Sequence, residues 1–264
     1  MREFLHGLLE NRWLLVQLAR RDLVAAYSGA VGGNLWIVVD PIVYVALTVV
    51  FFQFAIKGAD TAGVPYVAWV LPAIILWTFI SAALGSSVWA VREYSYLLRH
   101  RTFDMRLVTV IKLLSASSIH IVLMLILLLV LVAFLHVKLS LPALGLLYYF
   151  LASCCLLVGL GWLIAALGTF WKDVRNLVSV FLQVEFWISP IFWEPERFPR
   201  AVSVIMYLNP FYYPIHGYRQ AILGADFGPH FWPITLYFWS LVGGMCWFAS
   251  RVFRRLSRSF GDVL

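Results

Sequence analysis

Long, unbroken apolar runs constrain the fold of this chain more than any other feature. Of its 264 residues, 62% are hydrophobic and 12% are charged, which is about half the charged share of a soluble domain. Because backbone N–H and C=O groups find no water inside a bilayer, only helices and closed barrels cross it. The apolar runs are continuous rather than alternating, which favours helices. The sequence therefore predicts an all-α membrane protein.

Six apolar stretches approach the length of about 20 residues that a helix needs to cross the hydrocarbon core. We predict six transmembrane helices, the fifth short for a crossing, at residues 35–56, 66–91, 113–136, 143–170, 177–193 and 232–250. Residues 1–30 carry charges throughout, at close to a helical period, which predicts an amphipathic helix lying in the membrane interface. Together these segments are expected to form one transmembrane domain, 1–264, with spans one to five inside 35–193.

The segment 197–223 is apolar enough to be mistaken for a seventh span. It contains Asn209-Pro210 and Pro214, and seven of the eleven prolines of the chain lie between 190 and 233. We therefore predict two short re-entrant helices on the periplasmic side, broken near Asn209-Pro210, before the last span at 232–250. Because non-helical backbone at membrane depth is tolerated only against protein or a watery cavity, this segment is expected to border a pathway.

The basic residues are distributed unequally between the two sides of the predicted bundle. Fourteen Lys and Arg lie on the side of the N-terminus and five on the opposite side. The positive-inside rule then places both termini, including the tail 251–264, in the cytoplasm. Since the charges cluster in short loops between apolar runs, the net charge of +7 is explained by orientation and does not indicate nucleic-acid binding.

The polar loops carry little that could support catalysis. The sequence shows no Walker A motif, no paired-carboxylate motif and no His-Glu metal motif, and no nucleophile has an obvious base. We therefore expect no catalytic residue, no metal site and no cofactor bound by this chain. A membrane enzyme that transfers a glycan is kept as an alternative, which the short loops disfavour.

Aromatic and polar side chains form stripes on two predicted spans. In the first span they recur every four residues, which keeps them on one face, at Trp36, Asp40, Tyr44, Thr48 and Phe52. In the fifth span one stripe is Phe181, Glu185, Ser189 and Phe192, and another is Gln183 and Trp187. Rings stack on sugar faces and polar groups bond hydroxyls, so the stripes suit a channel for a sugar chain. Interfacial anchoring and helix packing are the alternative explanation.

Glu185 lies in the middle of the fifth predicted span. A carboxylate inside a membrane is costly and by default suggests function. The alternative is helix packing, with Lys112 or His120 of the third span as its partner. His120 itself is predicted to be a structural hydrogen-bonding residue rather than a ligand.

Four groups of residues, spread over essentially the whole chain, carry a resemblance to a known family. They are Arg21-Asp22 with Tyr27-Ser28, Gly33-Asn34-Leu35-Trp36 and Pro41; Lys172-Asp173-Val174-Arg175-Asn176 with Gln183 and Phe186-Trp187-Ile188-Ser189-Pro190-Ile191; Asn209-Pro210 with Gly217-Tyr218-Arg219; and Phe260-Gly261-Asp262-Val263-Leu264. In order and spacing they resemble the type-2 ABC-transporter permeases that export polysaccharides: O-antigen, teichoic acid and capsule. The last group is closer to the O-antigen and teichoic acid branch. A type-2 permease for capsule, a drug or a small lipid is the alternative.

The resemblance implies a homodimer in the bacterial inner membrane with two ATPase subunits, which use ATP and Mg²⁺. It implies that a lipid-linked glycan passes through a channel lined by the first and fifth spans. The channel residues are then Trp36, Asp40, Tyr44, Phe52, Phe181, Glu185, Trp187 and Phe192.

The resemblance also assigns roles to the two ends of the molecule. On the cytoplasmic side, the interface helix and the first cytoplasmic loop contact the ATPase. Within that loop we predict the contact at a short amphipathic helix, 93–101, and the alternative is a loop whose basic residues only set the orientation. The coupling residues there are Glu93, Tyr94, Arg99 and Arg101. On the other side, the re-entrant helices form a periplasmic gate. Its residues are Ser189, Pro190, Asn209, Pro210, Tyr212, Tyr213 and Arg219.

Overall fold

A computed structural model of the protein describes most of the chain. The described residues are 2–27, 32–55, 60–61, 64–99, 103–133, 141–224 and 231–264. Within them the structure is helical, apart from an antiparallel ladder of two short strands, β1 (Asp60–Thr61) and β2 (Val64–Pro65). The predicted all-α class is thus confirmed for the described part, with this one small exception.

The helices follow the order that the apolar runs predict. They are α1 (Arg2–Glu10), α2 (Arg12–Tyr27), α3 (Trp36–Ala55), α4 (Tyr66–Ser87), α5 (Ala90–Glu93), α6 (Leu107–Ala133), α7 (Gly145–Phe170), α8 (Val174–Ile188), α9 (Arg200–Leu208), α10 (Tyr212–Leu223), α11 (Phe231–Leu256) and α12 (Phe260–Val263). Short 3₁₀ turns lie at Gly33–Leu35, Ser95–Arg99, Leu141–Leu144, Pro195–Arg197 and Ser257–Ser259.

Three helices of the described part are long and apolar enough to cross a bilayer: α4, α6 and α7. The other three predicted spans coincide with α3, α11 and the 15-residue α8. At 1.5 Å per residue, α8 is about 22 Å long, which is less than the hydrocarbon core of about 30 Å. The helix order of the six-span prediction is therefore present, while the crossing of α3, α8 and α11 stays a prediction.

Helix α4 is the centre of the bundle. It packs against α6, α7 and α10, and less extensively against α3 and α8. Its buried side chains include Leu71, Ile75, Leu76 and Phe79. Because α4 is apolar all round, burial on every side is the environment that its composition demands.

The N-terminal segment differs from the single interface helix predicted at 1–30. It forms two helices, α1 and α2, and the Asn11 side chain between them donates to the Gly7 carbonyl oxygen at 2.8 Å. One face of α2 packs against α6 through Leu15 and Leu18, which are buried. The opposite face exposes Trp13 and Val16. Helix α2 therefore carries apolar residues on two opposite faces, one against the bundle and one outward, and differs in this from the amphipathic helix that was predicted.

The third predicted span begins six residues earlier than expected, at Leu107. Arg106, which the sequence assigned to a polar loop, is buried just before it. Its guanidinium binds Asp104 in a fork and donates through Nη1 to Ser250 Oγ of α11 at 2.8 Å. Its carbonyl oxygen accepts from Trp162 Nε1 at 3.1 Å. Because all these groups are paired, the helix can start inside protein rather than in a solvated loop.

The segment predicted as one amphipathic helix at 93–101 is also different. Helix α5 ends at Glu93, and a 3₁₀ turn follows over Ser95–Arg99. The described part of this segment is therefore a 3₁₀ turn and does not present the face of a regular α-helix.

The break predicted near Asn209-Pro210 is confirmed. Helix α9 ends at Leu208, and α10 begins at Tyr212. Helix α10 packs against α4 and α7, the two most apolar neighbours available to it. Gly217 of α10 lies so close to the Tyr149 ring that an added Cβ would stand 2.2 Å from a ring carbon. A glycine at this position therefore permits the close approach of α10 and α7.

Candidate functional site

Helix α8 contacts the rest of the described protein along one narrow stripe. Val174 and Val178 are buried, and Leu182, Glu185 and Phe186 are half-buried. Its remaining face is exposed, with Leu177, Val180, Phe181, Gln183, Val184, Trp187 and Ile188. A glutamine and a nearby carboxylate are costly against lipid, so this face suits a water-filled path or a second subunit.

Helix α3 presents a comparable exposed face. The predicted stripe residues Trp36, Asp40 and Tyr44 are exposed. Thr48 Oγ1 donates to the Tyr44 carbonyl oxygen at 2.7 Å, so the hydroxyl is satisfied within the helix. The side chain of Phe52 lies outside the described residues. Three predicted channel residues are thus exposed on one side of α3. We call the exposed surfaces of α3 and α8, taken together, the open face.

Glu185 does not pair with Lys112 or His120, so both predicted packing partners are wrong. Glu185 Oε2 accepts from Asn209 Nδ2 at 2.6 Å. It also accepts from Ser189 Oγ at 3.4 Å. The break between α9 and α10 brings Asn209 to the end of α8, whereas Lys112 and His120 have partners elsewhere.

The contacts of His120 confirm that it is a structural residue, as predicted. Its Nε2 lies 3.0 Å from Tyr218 Oη. Its ring stacks on Phe150 with centroids 5.4 Å apart. These contacts tie α6 to α7 and α10 inside the bundle, away from the open face.

Two predicted gate residues, Ser189 and Asn209, form a buried polar junction. Asn209 Nδ2 also donates to Ser189 Oγ at 3.3 Å. Asn209 Oδ1 accepts from the Phe211 backbone N–H at 2.8 Å, which starts the turn into α10. Because Pro210 interrupts the helix, the Phe211 N–H bonds to the Asn209 side chain instead of to a backbone carbonyl oxygen. The gate prediction therefore identified residues that do lie together.

Tyr212 and Tyr213 are buried and lie on other surfaces of α10. Tyr213 Oη lies 2.9 Å from Tyr148 Oη and accepts from Thr235 Oγ1 at 3.1 Å. Its ring stacks on Phe238 at 4.5 Å. Tyr212 stacks on His216. Tyr213 thus anchors α10 to α7 and α11 and does not line the open face.

Arg219, another predicted gate residue, is buried. Its Cζ lies 3.5 Å from the ring centroid of Trp69. Nε donates to the Trp69 carbonyl oxygen at 3.0 Å, and Nη2 donates to the Ile191 carbonyl oxygen. Arg219 also lines a cavity of about 280 Å³ together with Glu194 and Glu196. The guanidinium therefore clamps α4 and the 190–197 segment to α10.

Phe192 and Trp187 belong to an aromatic cluster where α8 ends. The Trp187 and Phe192 centroids are 5.8 Å apart, and Trp187 stacks on Trp193 at 6.3 Å. The Phe192 carbonyl oxygen accepts from Tyr66 Oη at 2.9 Å. Trp187 stays more than half exposed, so it presents a ring surface to the open face.

An ion-pair cluster occupies the opposite end of the bundle. The ammonium of Lys112 on α6 lies 2.5 Å from Asp22 Oδ1 of α2 and also binds Glu93 Oε2. Lys112 is 5% exposed. Tyr94 Oη donates to Asp22 Oδ1 at 3.3 Å. Burial, and next the Asp22 carboxylate, raise the pKa of Tyr94, so its hydroxyl keeps its proton.

The predicted coupling residues therefore have different environments. Glu93 binds Lys112 and so links α5 to α6, whereas the buried Tyr94 bonds to Asp22 of α2. Arg99 is exposed and available to a partner. Arg101 lies outside the described residues. The contact of these four residues with a partner stays a prediction.

Asp22 and Trp69 were not predicted as site residues, although each holds a charged residue in place. Lys112 was considered only as a partner of Glu185. A usable signal existed, because a lysine at the edge of a predicted span favours an acidic partner. The partner could not be identified from spacing, since Asp22 lies 90 residues away.

Comparisons with known proteins cover nearly the whole chain. The model of the family described as ABC-2 type transporter matches residues 14–223. Two proteins of Klebsiella pneumoniae, both called O-antigen export system permease protein RfbA, are 21% and 20% identical to the chain, over 95% of each chain. A protein of the same name from Myxococcus xanthus is 25% identical over 97% of each chain.

Proposed function

Because this chain belongs to the ABC-2 type transporter family, we propose that it is the membrane-spanning subunit of an ATP-driven polysaccharide exporter. Its cargo is a lipid-linked glycan of the O-antigen or teichoic acid kind, moved across the bacterial inner membrane. The observation that carries this proposal is the similarity to three proteins named O-antigen export permeases over 95% or more of both chains. A match of that extent concerns the whole architecture and not one motif.

The open face supports the path that export requires. It combines exposed rings, at Tyr44 and Trp187, with polar groups at Asp40 and Gln183. In a homodimer each of these groups occurs twice. Rings that face a lumen hold a varied sugar chain weakly and let it slide. The polar groups then lie in water, where they cost little, instead of in lipid.

The energy for transport comes from a separate ATPase in this proposal. Two copies of that subunit bind ATP and Mg²⁺ and sit beneath the two permease chains. The segment around Arg99 and helix α2 contact them, and the Lys112 cluster links both elements to α6. Both termini then lie in the cytoplasm, as the excess of basic residues on that side favours, and α9 with α10 forms the outer gate.

Deletion of the gene in its own bacterium tests the proposal. We expect surface glycan to disappear and lipid-linked glycan to accumulate at the inner membrane, and a plasmid copy should restore export. In a strain that also lacks the partner ATPase, the same plasmid should fail. Unchanged surface glycan, with altered drug or small-lipid efflux instead, would contradict the proposal. The purified chain alone should not hydrolyse ATP.

A further inference from the structure

Asn209 has every hydrogen-bonding group of its side chain engaged with a different part of the chain. It is 8% exposed. Its Oδ1 fixes the first turn of α10 through the Phe211 N–H, at 2.8 Å. Its Nδ2 reaches back to α8 through Glu185 Oε2, at 2.6 Å. One short side chain therefore joins the α9–α10 junction to the helix that presents the open face.

The two halves of α8 are held in different ways. The first half packs into the bundle through Val174 and Val178, which contact Val88. The second half is held by the polar junction and by ring contacts: Phe186 lies 6.1 Å from Trp77, and Phe181 lies 6.4 Å from Phe211, centroid to centroid. Loss of the polar junction would leave these ring contacts as the links to the bundle, and because they are less directional than a hydrogen bond, we expect the second half to shift about its well-packed first half.

The α9–α10 junction, in contrast, has further anchors in the bundle. Phe211 packs edge-on against Trp77 of α4, with centroids 5.6 Å apart. Tyr237 Oη of α11 donates to the Leu208 carbonyl oxygen at 2.8 Å. When the Asn209–Glu185 bond breaks, we therefore expect α8 to move while the junction stays in place.

Glu185 is placed to respond to a ligand on the open face. Both of its described hydrogen bonds use Oε2. Oε1 has no partner among the described residues, and the side chain is half-buried. A hydroxyl group that arrives along the open face can donate to Oε1, and rotation of the carboxylate toward that hydroxyl would lengthen the bond between Oε2 and Asn209.

We propose that Asn209 is a positioning residue: its hydrogen bond to Glu185 holds α8 against the α9–α10 junction and closes the path at this end. A hydroxyl-bearing chain segment releases the bond by engaging the carboxylate. This inference rests on the proposed function, because it takes the open face to border the transport path. It adds to that function a mechanism by which cargo itself opens the outer end.

Exchange of the two side chains tests the bond. Asn209→Asp places two carboxylates together, and like charges at that distance repel. Because the outer end then no longer closes between segments of cargo and opening no longer depends on cargo, we expect export per assembled complex to fall at least ten-fold. Glu185→Gln keeps an acceptor for Asn209 and should retain export within about three-fold. The double variant Asn209→Asp with Glu185→Gln restores one amide and one carboxylate in reversed places, and export should return to the level of Glu185→Gln alone.

A thiol reporter separates positioning from stability. Val184→Cys places a thiol on the exposed face of α8, and an impermeant thiol reagent is added from outside to the assembled complex. Labelling should be slow in the parent, at least five-fold faster with Asn209→Asp, and slow again in the exchanged pair. Asn176→Asp, the same substitution at an exposed position of the same helix, reports the effect of added charge alone.

The inference is wrong if the exchanged pair does not restore export, or if all variants label at the same rate. Either result leaves the proposed function intact, because that function rests on export by the wild-type protein. Should Asn209→Asp not assemble, Glu185→Leu removes the acceptor without adding charge. The inference requires that this variant also label at least five-fold faster than the parent.

Discussion

Helices α4 and α8 show two opposite ways in which an apolar helix is used in this protein. Sixteen of the 22 residues of α4 are buried, whereas two of the 15 residues of α8 are buried. Both were predicted as spans on the same grounds of apolar composition. The difference teaches that composition identifies a membrane helix but not the surface that it faces.

Polar residues distinguish the two environments. Helix α4 carries no charged side chain and is enclosed by neighbours. Helix α8 carries Gln183 and Glu185 with its apolar residues and is mostly exposed. We expect the bundle around α4 to determine stability and, under the proposed function, the open face of α3 and α8 to determine transport. Substitutions in the two regions should therefore have opposite consequences, and the following predictions begin with the largest loss of stability.

Lys112→Met should have the largest effect. It removes the ammonium that neutralises Asp22 and Glu93 and leaves these two carboxylates, which are 17% and 49% exposed, without their counter-ion. Breaking a buried pair costs about 3–5 kcal/mol, and the lower end applies here because both carboxylates reach solvent. Thermal unfolding of the purified chain in detergent measures the loss. Lys172→Met is the control, since Lys172 is exposed and should change stability little. Equal effects of the two substitutions would show that the cluster is not structural.

Gly217→Ala should have the next largest effect. The new methyl group would stand 2.2 Å from the ring of Tyr149, which is itself buried in the bundle. Overpacking of this kind costs about 1–3 kcal/mol. Gly243→Ala on α11 is the matched control, because no described atom lies within 4 Å of its Cβ position and alanine favours the helix by about 0.5–1 kcal/mol. Thermal midpoints that move together in both variants would contradict close α7–α10 packing.

Periodicity and composition allowed much of the fold to be predicted. The order of the helices, the break at Asn209-Pro210 and the structural role of His120 all follow from local signals: apolar run length, proline and a polar group within an apolar helix. The N-terminal break at Asn11 could not be predicted in the same way, because both halves continue one charge pattern. The earlier start of α6 depends on Arg106 finding Asp104 and Ser250, and the latter is 144 residues away.

The site was predicted less completely, for a physical reason. Stripes on α3 and α8 can be read from spacing because a helix fixes which residues share a face. Partners across helices depend on the packing of the bundle. Glu185 was therefore recognised as important, while its bond to Asn209, 24 residues away, could not be derived. Tyr94 was predicted to contact the ATPase, because nothing local indicates its burial in the core or its bond to Asp22.

The smallest change of stability, and a large change of transport, should come from the open face. Tyr44→Ala and Trp187→Ala remove rings that are 38% and 56% exposed. Because both rings are partly exposed, we expect the single chain to lose about 0.5 kcal/mol of stability at Tyr44. The loss at Trp187 should be about 0.5–1.5 kcal/mol, since this ring also contacts Phe192 and Trp193. If the rings line the path, surface glycan should fall several-fold while the dimer and the ATPase complex stay assembled.

Packing of the rings against a second copy would give the opposite order of effects. The dimer would then dissociate, or its melting temperature would fall by an amount corresponding to about 3–5 kcal/mol for a buried aromatic side chain, before export declined. Trp232→Ala on α11 is the control, because that ring is 70% exposed and lies on neither α3 nor α8. Size-exclusion chromatography, thermal unfolding and surface glycan measured on the same three variants decide between path and seam. Normal export with both open-face substitutions would show that Tyr44 and Trp187 do not line the path. The exposed face of α8 would then differ from α4 in packing but not in a role in transport.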